Sequence, residues 1–159
     1  MASLRELVMV NLLSAIQGIN GPPTYTNTLI SDNTITREPL ELIELHRSSL
    51  PAALLEEGVQ DALPHFDSGN GLIYSQSQSV FHVSVLALVA KTSSVNTTLN
   101  AWLADILRAV MTDITRGGNA MDTQLESIGP PNENTIIPDG LAAVRLVFAI
   151  RYLHASNLL

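Results

Sequence analysis

Four histidines are the first residues to test for chemistry. His46, His65, His82 and His154 lie far apart, with no i,i+4 pair, no HExxH and no carboxylate at metal-ligand spacing. A structural or exposed role is expected for His82 and His154. The chain has no cysteine, which excludes a disulfide framework, a thiolate zinc site and a cysteine nucleophile. Serines and threonines are plentiful, but none sits in a GxSxG elbow. Gly69-Asn70-Gly71 and Gly117-Gly118 are not followed by Gly-Lys-Ser/Thr, and Lys91 is the only lysine, so no phosphate-cradling loop is present. The acid pairs Glu56-Glu57 and Asp122/Glu126 lack a companion base and read as ordinary surface acids. Trp102 reads as core. The expectation is a protein with no catalytic residue, no cofactor and no metal.

Charge is the next signal. The chain carries 8 basic against 15 acidic residues, a net charge of −7, with 46% hydrophobic and 14% charged residues. That balance excludes a general nucleic-acid binder, which needs Lys and Arg to displace counterions. Few charges beside many apolar residues also suggest that partners cover part of the surface. The acids are clustered: residues 38–67 hold seven of them against Arg47 alone. The cluster is either a solvated surface or an acidic face that repels a polyanion or meets a basic partner. Glu41, Glu44, Glu56 and Glu57 are its interface or lumen candidates. Arg116, Arg145 and Arg151 are the basic interface candidates; the strand arginines have the alternative of snorkelling at a sheet margin.

The elements that position these residues follow from periodicity. Ser3-Leu4-Arg5-Glu6 is a capping box, and Leu4, Leu7, Val8, Leu12, Ala15 and Ile16 make one helical face, predicting a helix over about 3–17 that Gly18 stops. Thr24 to Thr36 predicts one interrupted or two short strands. Pro51 to Gly58 is ambiguous: its composition favours helix and its shortness favours strand. His65 to Ser79 reads as a loop or hairpin tip. Ser79 to Lys91 is a strand, polar–apolar at first and apolar on both faces in its second half, as if covered on both sides there. Leu99, Trp102, Leu103, Ile106, Val110 and Ile114 predict a second helix over about 95–115. Arg116-Gly117-Gly118 then allows a tight exit with positive φ. Met121 to Ile128 and Leu141 to Leu153 are further strands. The order predicts one α+β domain over 1–159: a mainly antiparallel or mixed sheet flanked by two long helices. The longest apolar run, Val83–Ala90, is too short to span a bilayer. Arg5-Glu6 and Asn11 break the opening segment as a signal peptide, which predicts a chain made in a cytoplasm.

Several segments together resemble a known family. These are Ile19 to Thr26 (Ile-Asn-Gly-Pro-Pro-Thr-Tyr-Thr), Leu50-Pro51-Ala52-Ala53 leading to Glu56-Glu57-Gly58, Asp113 to Ala120 with Asp122-Thr123, and Val147 to Tyr152. In this order they resemble the tail terminator, or tail completion, proteins of long-tailed phages. The resemblance implies that Ala52 to Glu56 is a strand. It also implies a homo-oligomeric, hexameric ring on the head-proximal end of the tail tube, which stops tube polymerisation and forms the head–tail joining surface. Implied partners are the tail tube protein, the head–tail connector or neck proteins, and the sheath or its terminator if the tail contracts. DNA would pass through the lumen without sequence-specific binding, and an acidic lumen would keep it from sticking. The implied location is the virion tail or neck, with assembly in the host cytoplasm and no membrane partner. The alternatives are another neck, connector, tube or baseplate subunit, and a small-ligand-binding or enzymatic α+β domain.

Overall fold

The computed structural model describes residues 2–27, 35–37, 50–62 and 76–155. Its elements are α1 (Leu4–Gln17), β1 (Ile35–Thr36), β2 (Ala52–Ala62), β3 (Gln76–Ala90), α2 (Val95–Met111), β4 (Asp122–Gly129) and β5 (Leu141–Ala155). The strands form one five-stranded sheet in the order β1-β2-β3-β5-β4. β1 runs parallel to β2 and every other pair is antiparallel, so the sheet is mixed and the fold is α+β. Of the loop expected over His65 to Ser79, residues 65–75 lie outside the described residues, and 76–79 belong instead to β3, extended by their pairing with β5. Of the strand expected over Thr24 to Thr36, residues 24–27 form a turn, 28–34 lie outside the described residues, and Ile35–Thr36 are β1.

The two long strands, β3 and β5, form the centre of the sheet because their side chains alternate cleanly. Phe81, Val83, Val85, Ala87 and Val89 point to one side, joined by Leu146, Phe148, Ile150 and Tyr152. Val8, Met9, Leu12 and Ile16 of α1 and Trp102, Ile106, Ala109 and Val110 of α2 complete that core. Burying each large side chain here stabilises the fold by about 1.5–3 kcal/mol relative to exposure. The opposite side holds a second apolar cluster: Leu50, Ala52, Leu54, Leu86, Leu88 and Leu141. The second half of β3 is therefore buried on both faces, as its sequence predicts.

β2 is a strand despite its helix-forming Ala52-Ala53-Leu54-Leu55. Ala53 and Leu55 enter the helix-side core while Ala52 and Leu54 enter the other cluster. Burial on two sides beside β3 outweighs a propensity difference worth tenths of a kcal/mol per residue. Gly58 lies at the irregularity between Glu57 and Gln60, where a Cβ would come within 2.8 Å of the His82 carbonyl oxygen.

Three local expectations are corrected. Ser3 Oγ accepts from the Glu6 N–H at 3.1 Å, but the Glu6 carboxylate accepts from Arg37 instead of closing the capping box. Gly18 ends α1 at φ −78°, and the left-handed turn falls later, at Gly21 (φ 85°). α2 ends at Met111, short of 115, because the Asp113 carboxylate takes over the backbone N–H groups of Thr115 and Gly117. Ile114, expected in the helix's buried face, is accordingly exposed.

Candidate functional site

Three polar constellations are assembled from separated parts of the chain. The first is a corner on the helix side of the sheet, where α1 meets β2. Arg5 donates from Nε to Glu57 Oε2 at 3.0 Å and also reaches the Gly58 carbonyl at 3.3 Å. Arg37 bridges Glu57 and Glu6, donating to Glu6 Oε1 at 2.8 Å. The hydrogen bond from Arg37 holds Glu6 below the ordinary carboxylate range, and Glu6 in turn raises Arg37. Arg5 also lies 5.3 Å from the centre of the Phe81 ring, which packs edge-on against Tyr152. Burial raises the Tyr152 phenol, against the opposing effects of Arg5 and Ser79.

The second constellation lies on the sheet face away from the helices. Register places Leu54, Leu86 and Arg145 in one row, then Glu56, Ser84 and Val147, then His82, Ala149 and Gln124. Arg145 donates to Ser84 Oγ from Nε at 3.0 Å and from Nη2 at 2.7 Å. Glu126, at the bulge between Leu125 and Ser127, approaches His82 Nε2 to 3.2 Å across the small Ala149. Glu56 and Arg151 are exposed on this face. This face can form ion pairs and hydrogen bonds with another surface. Among the described residues no group of three His, Asp or Glu side chains gathers to hold a metal, and no helix is long and apolar enough to cross a membrane.

The third is the turn after α2. Asp113 Oδ1 accepts from the Thr115 N–H and hydroxyl, and Oδ2 accepts from the Gly117 N–H at 2.6 Å. The Thr115 hydroxyl, then the Gly117 N–H, hold Asp113 below the usual carboxylate range. Arg116, Gly117 and Gly118 take positive φ of 51°, 68° and 83°. Arg116 is fully buried, and Nη2 donates to the Val110 carbonyl at the end of α2. Burial draws its guanidinium below the ordinary arginine value, while Asp113 opposes that shift. A parallel fixture lies earlier in the chain. Buried Asp105 of α2 accepts from the Thr26 N–H at 2.9 Å and the Asn27 N–H at 2.7 Å, and Arg108 donates to the Thr24 carbonyl.

The predicted site residues are therefore dispersed. Glu41 and Glu44 lie outside the described residues. Glu56 and Glu57, adjacent in sequence, face opposite sides of β2: Glu56 faces the far side, and Glu57 is held by two arginines. Arg116 is enclosed in the core rather than displayed as an interface residue, because its turn folds it back under α2. Arg145 is half-buried over Ser84 and Arg151 is exposed. Arg5, Arg37, Asp105 and the His82–Glu126 pair carry no sequence signal, since each pairing depends on strand register or on a contact far along the chain. Trp102 is core as expected, its indole N–H donating to the Ala52 carbonyl at 3.0 Å. No protein-family model and no curated protein matches the chain.

Proposed function

We propose that this chain is a structural virion protein of the tail-terminator kind. Six copies form a ring on the head-proximal end of a phage tail tube. The ring hides the site where the next tube ring would add, and its other surface joins the neck or connector of the filled head. The mechanism is binding, and the genome passes through the lumen. Two long helices flanking the sheet belong to this reading.

One observation supports it above others. Two of the segments that carry the resemblance, Ile19 to Thr26 and Asp113 to Ala120, are both fastened to α2. Thr24 and Thr26 are held by Arg108 and Asp105, and Arg116 is buried beneath Val110. Residues so used maintain a shape; they hold the helices on one face and leave the far face and the β4 edge for neighbours. Of the two acids in the stretch whose side chains are described, Glu57 is held by Arg5 and Arg37 and Glu56 is exposed, and in this reading Glu56 lines the lumen or a ring face. The experiment is native mass together with negative-stain symmetry of the purified chain. Six copies in a sixfold ring are expected, and a monomer at every concentration contradicts the reading.

A further inference from the structure

We infer that β4 is a docking edge for an extended strand of a different chain, one that is apolar on one side and basic on the other. The inference stands on the sheet edge alone and does not depend on the tail-terminator reading.

β4 ends the sheet order, and no described residue bonds to its outer side. The Met121 N–H points inward, donating to the Arg151 carbonyl at 2.7 Å. Because that carbonyl faces β4 and Asp122 is the register partner of Arg151, the main-chain groups of Asp122 and Gln124 face β5, and alternation turns those of Thr123 and Leu125 outward. Such an edge is a template for another strand. Natural edges are protected by lysine, proline or a short length, yet this one runs eight residues with neither lysine nor proline. Its protection is the bulge between Leu125 and Ser127 and the charges of Asp122 and Glu126, which repel an acidic strand but not a basic one.

The side chains specify the occupant. On the helix side, Leu125 and Ile128 are 36% and 49% exposed. The Ile114 carbonyl accepts from the Thr123 hydroxyl on that side of β4, and Ile114 is itself exposed. On the far side are Asp122, Gln124 and Glu126, with no base on the strand. A complementary strand therefore places apolar residues over Leu125 and Ile128 and Lys or Arg beside Asp122 and Glu126. A second copy does not supply it. β4 against β4 brings acids toward acids, and the outer edge of β2 beyond its pairing with β1 runs from Leu55 into Glu56 and Glu57. The arginines on described strands, Arg145 and Arg151, lie on β5, which is already paired on both sides.

The probe is an eight-residue peptide of alternating lysine and valine, tested on the full chain by calorimetry and by amide exchange read by mass spectrometry. Binding with new protection confined to 121–130 is expected. A peptide N-methylated on the amides of its β4-facing edge, and one of alternating glutamate and valine, are each expected to bind at least about tenfold more weakly. The double variant Asp122→Asn/Glu126→Gln, at one half-buried and one exposed position, should retain its circular dichroism and weaken the lysine peptide by roughly tenfold. Equal binding of the N-methylated peptide, protection elsewhere, or no binding would overturn the inference. So would concentration-dependent protection of 121–130 without peptide, which would make a second copy the occupant.

Discussion

The two faces of the sheet are built from the same strands and have opposite characters. The helix side is a continuous core from Phe81 to Val89 and from Leu146 to Tyr152, closed by α1 and α2. The far side is divided. Leu54, Leu86, Leu88 and Leu141 bury one end, while Glu56, His82, Arg145, Glu126 and Arg151 occupy the other. One face holds the fold, and among the described residues no helix or strand packs over the polar half of the other. Adjacent residues show the division most sharply. Glu57 turns toward the helices and is held by Arg5 and Arg37, whereas Glu56 turns away and is exposed.

Substitutions can break this contrast in graded steps. The largest expected effect is at Trp102, which is 1% exposed and bonded to Ala52. Trp102→Ala should lower unfolding free energy by about 3–5 kcal/mol in a urea titration. A loss under 1 kcal/mol would show that the helix side is not the core that holds the molecule. Next is the turn that seats Arg116. The double substitution Gly117→Val/Gly118→Val forces Cβ-branched residues into φ of 68° and 83°, at an expected cost of about 1–3 kcal/mol. Unchanged melting would mean that the left-handed turn does not constrain the fold.

Asp113 gives a pH-dependent test of the same turn. Its native pKa is depressed, so the unfolded chain binds the proton more tightly than the folded one. The stability it contributes is complete above the ordinary aspartate range and is lost as pH falls through the lowered native value. Asp113→Asn should cost about 1 kcal/mol at neutral pH and flatten the acid limb of the stability curve. An acid limb identical to the parent's would remove Asp113 from the account. The smallest effects separate the two neighbouring glutamates. Glu57→Gln should cost up to about 1 kcal/mol, and less in high salt, because it breaks two partly exposed ion pairs. Glu56→Gln should stay within about 0.5 kcal/mol of the parent in the same melts. Equal losses at both positions would erase the distinction between the faces.

The sequence made the central strands legible because β3 and β5 alternate over many residues, and the switch to apolar residues on both sides of β3 marked the second cluster. α2 was legible from its apolar stripe, though its end was not. Asp113 stops it through a local carboxylate bond that periodicity does not register. β2 stayed ambiguous on composition because alanine and leucine favour helix, and only pairing with β3 decides it. The candidate site was less legible still. Glu57 looks free within the acidic stretch because its partners lie 20 and 52 residues away. Arg116 looks like a surface base because nothing in Thr-Arg-Gly-Gly says that the turn folds inward. His82 and Glu126 meet only because a bulge shifts β4 by one residue and Ala149 leaves space between them.

The central claim is that this molecule acts by capping, and tail tubes test it directly. Purified tube protein is allowed to polymerise with and without a stoichiometric amount of the chain, and the products are imaged in negative stain. The account predicts shorter tubes carrying a sixfold ring at one end only. Tubes of unchanged length with no ring at either end would contradict it.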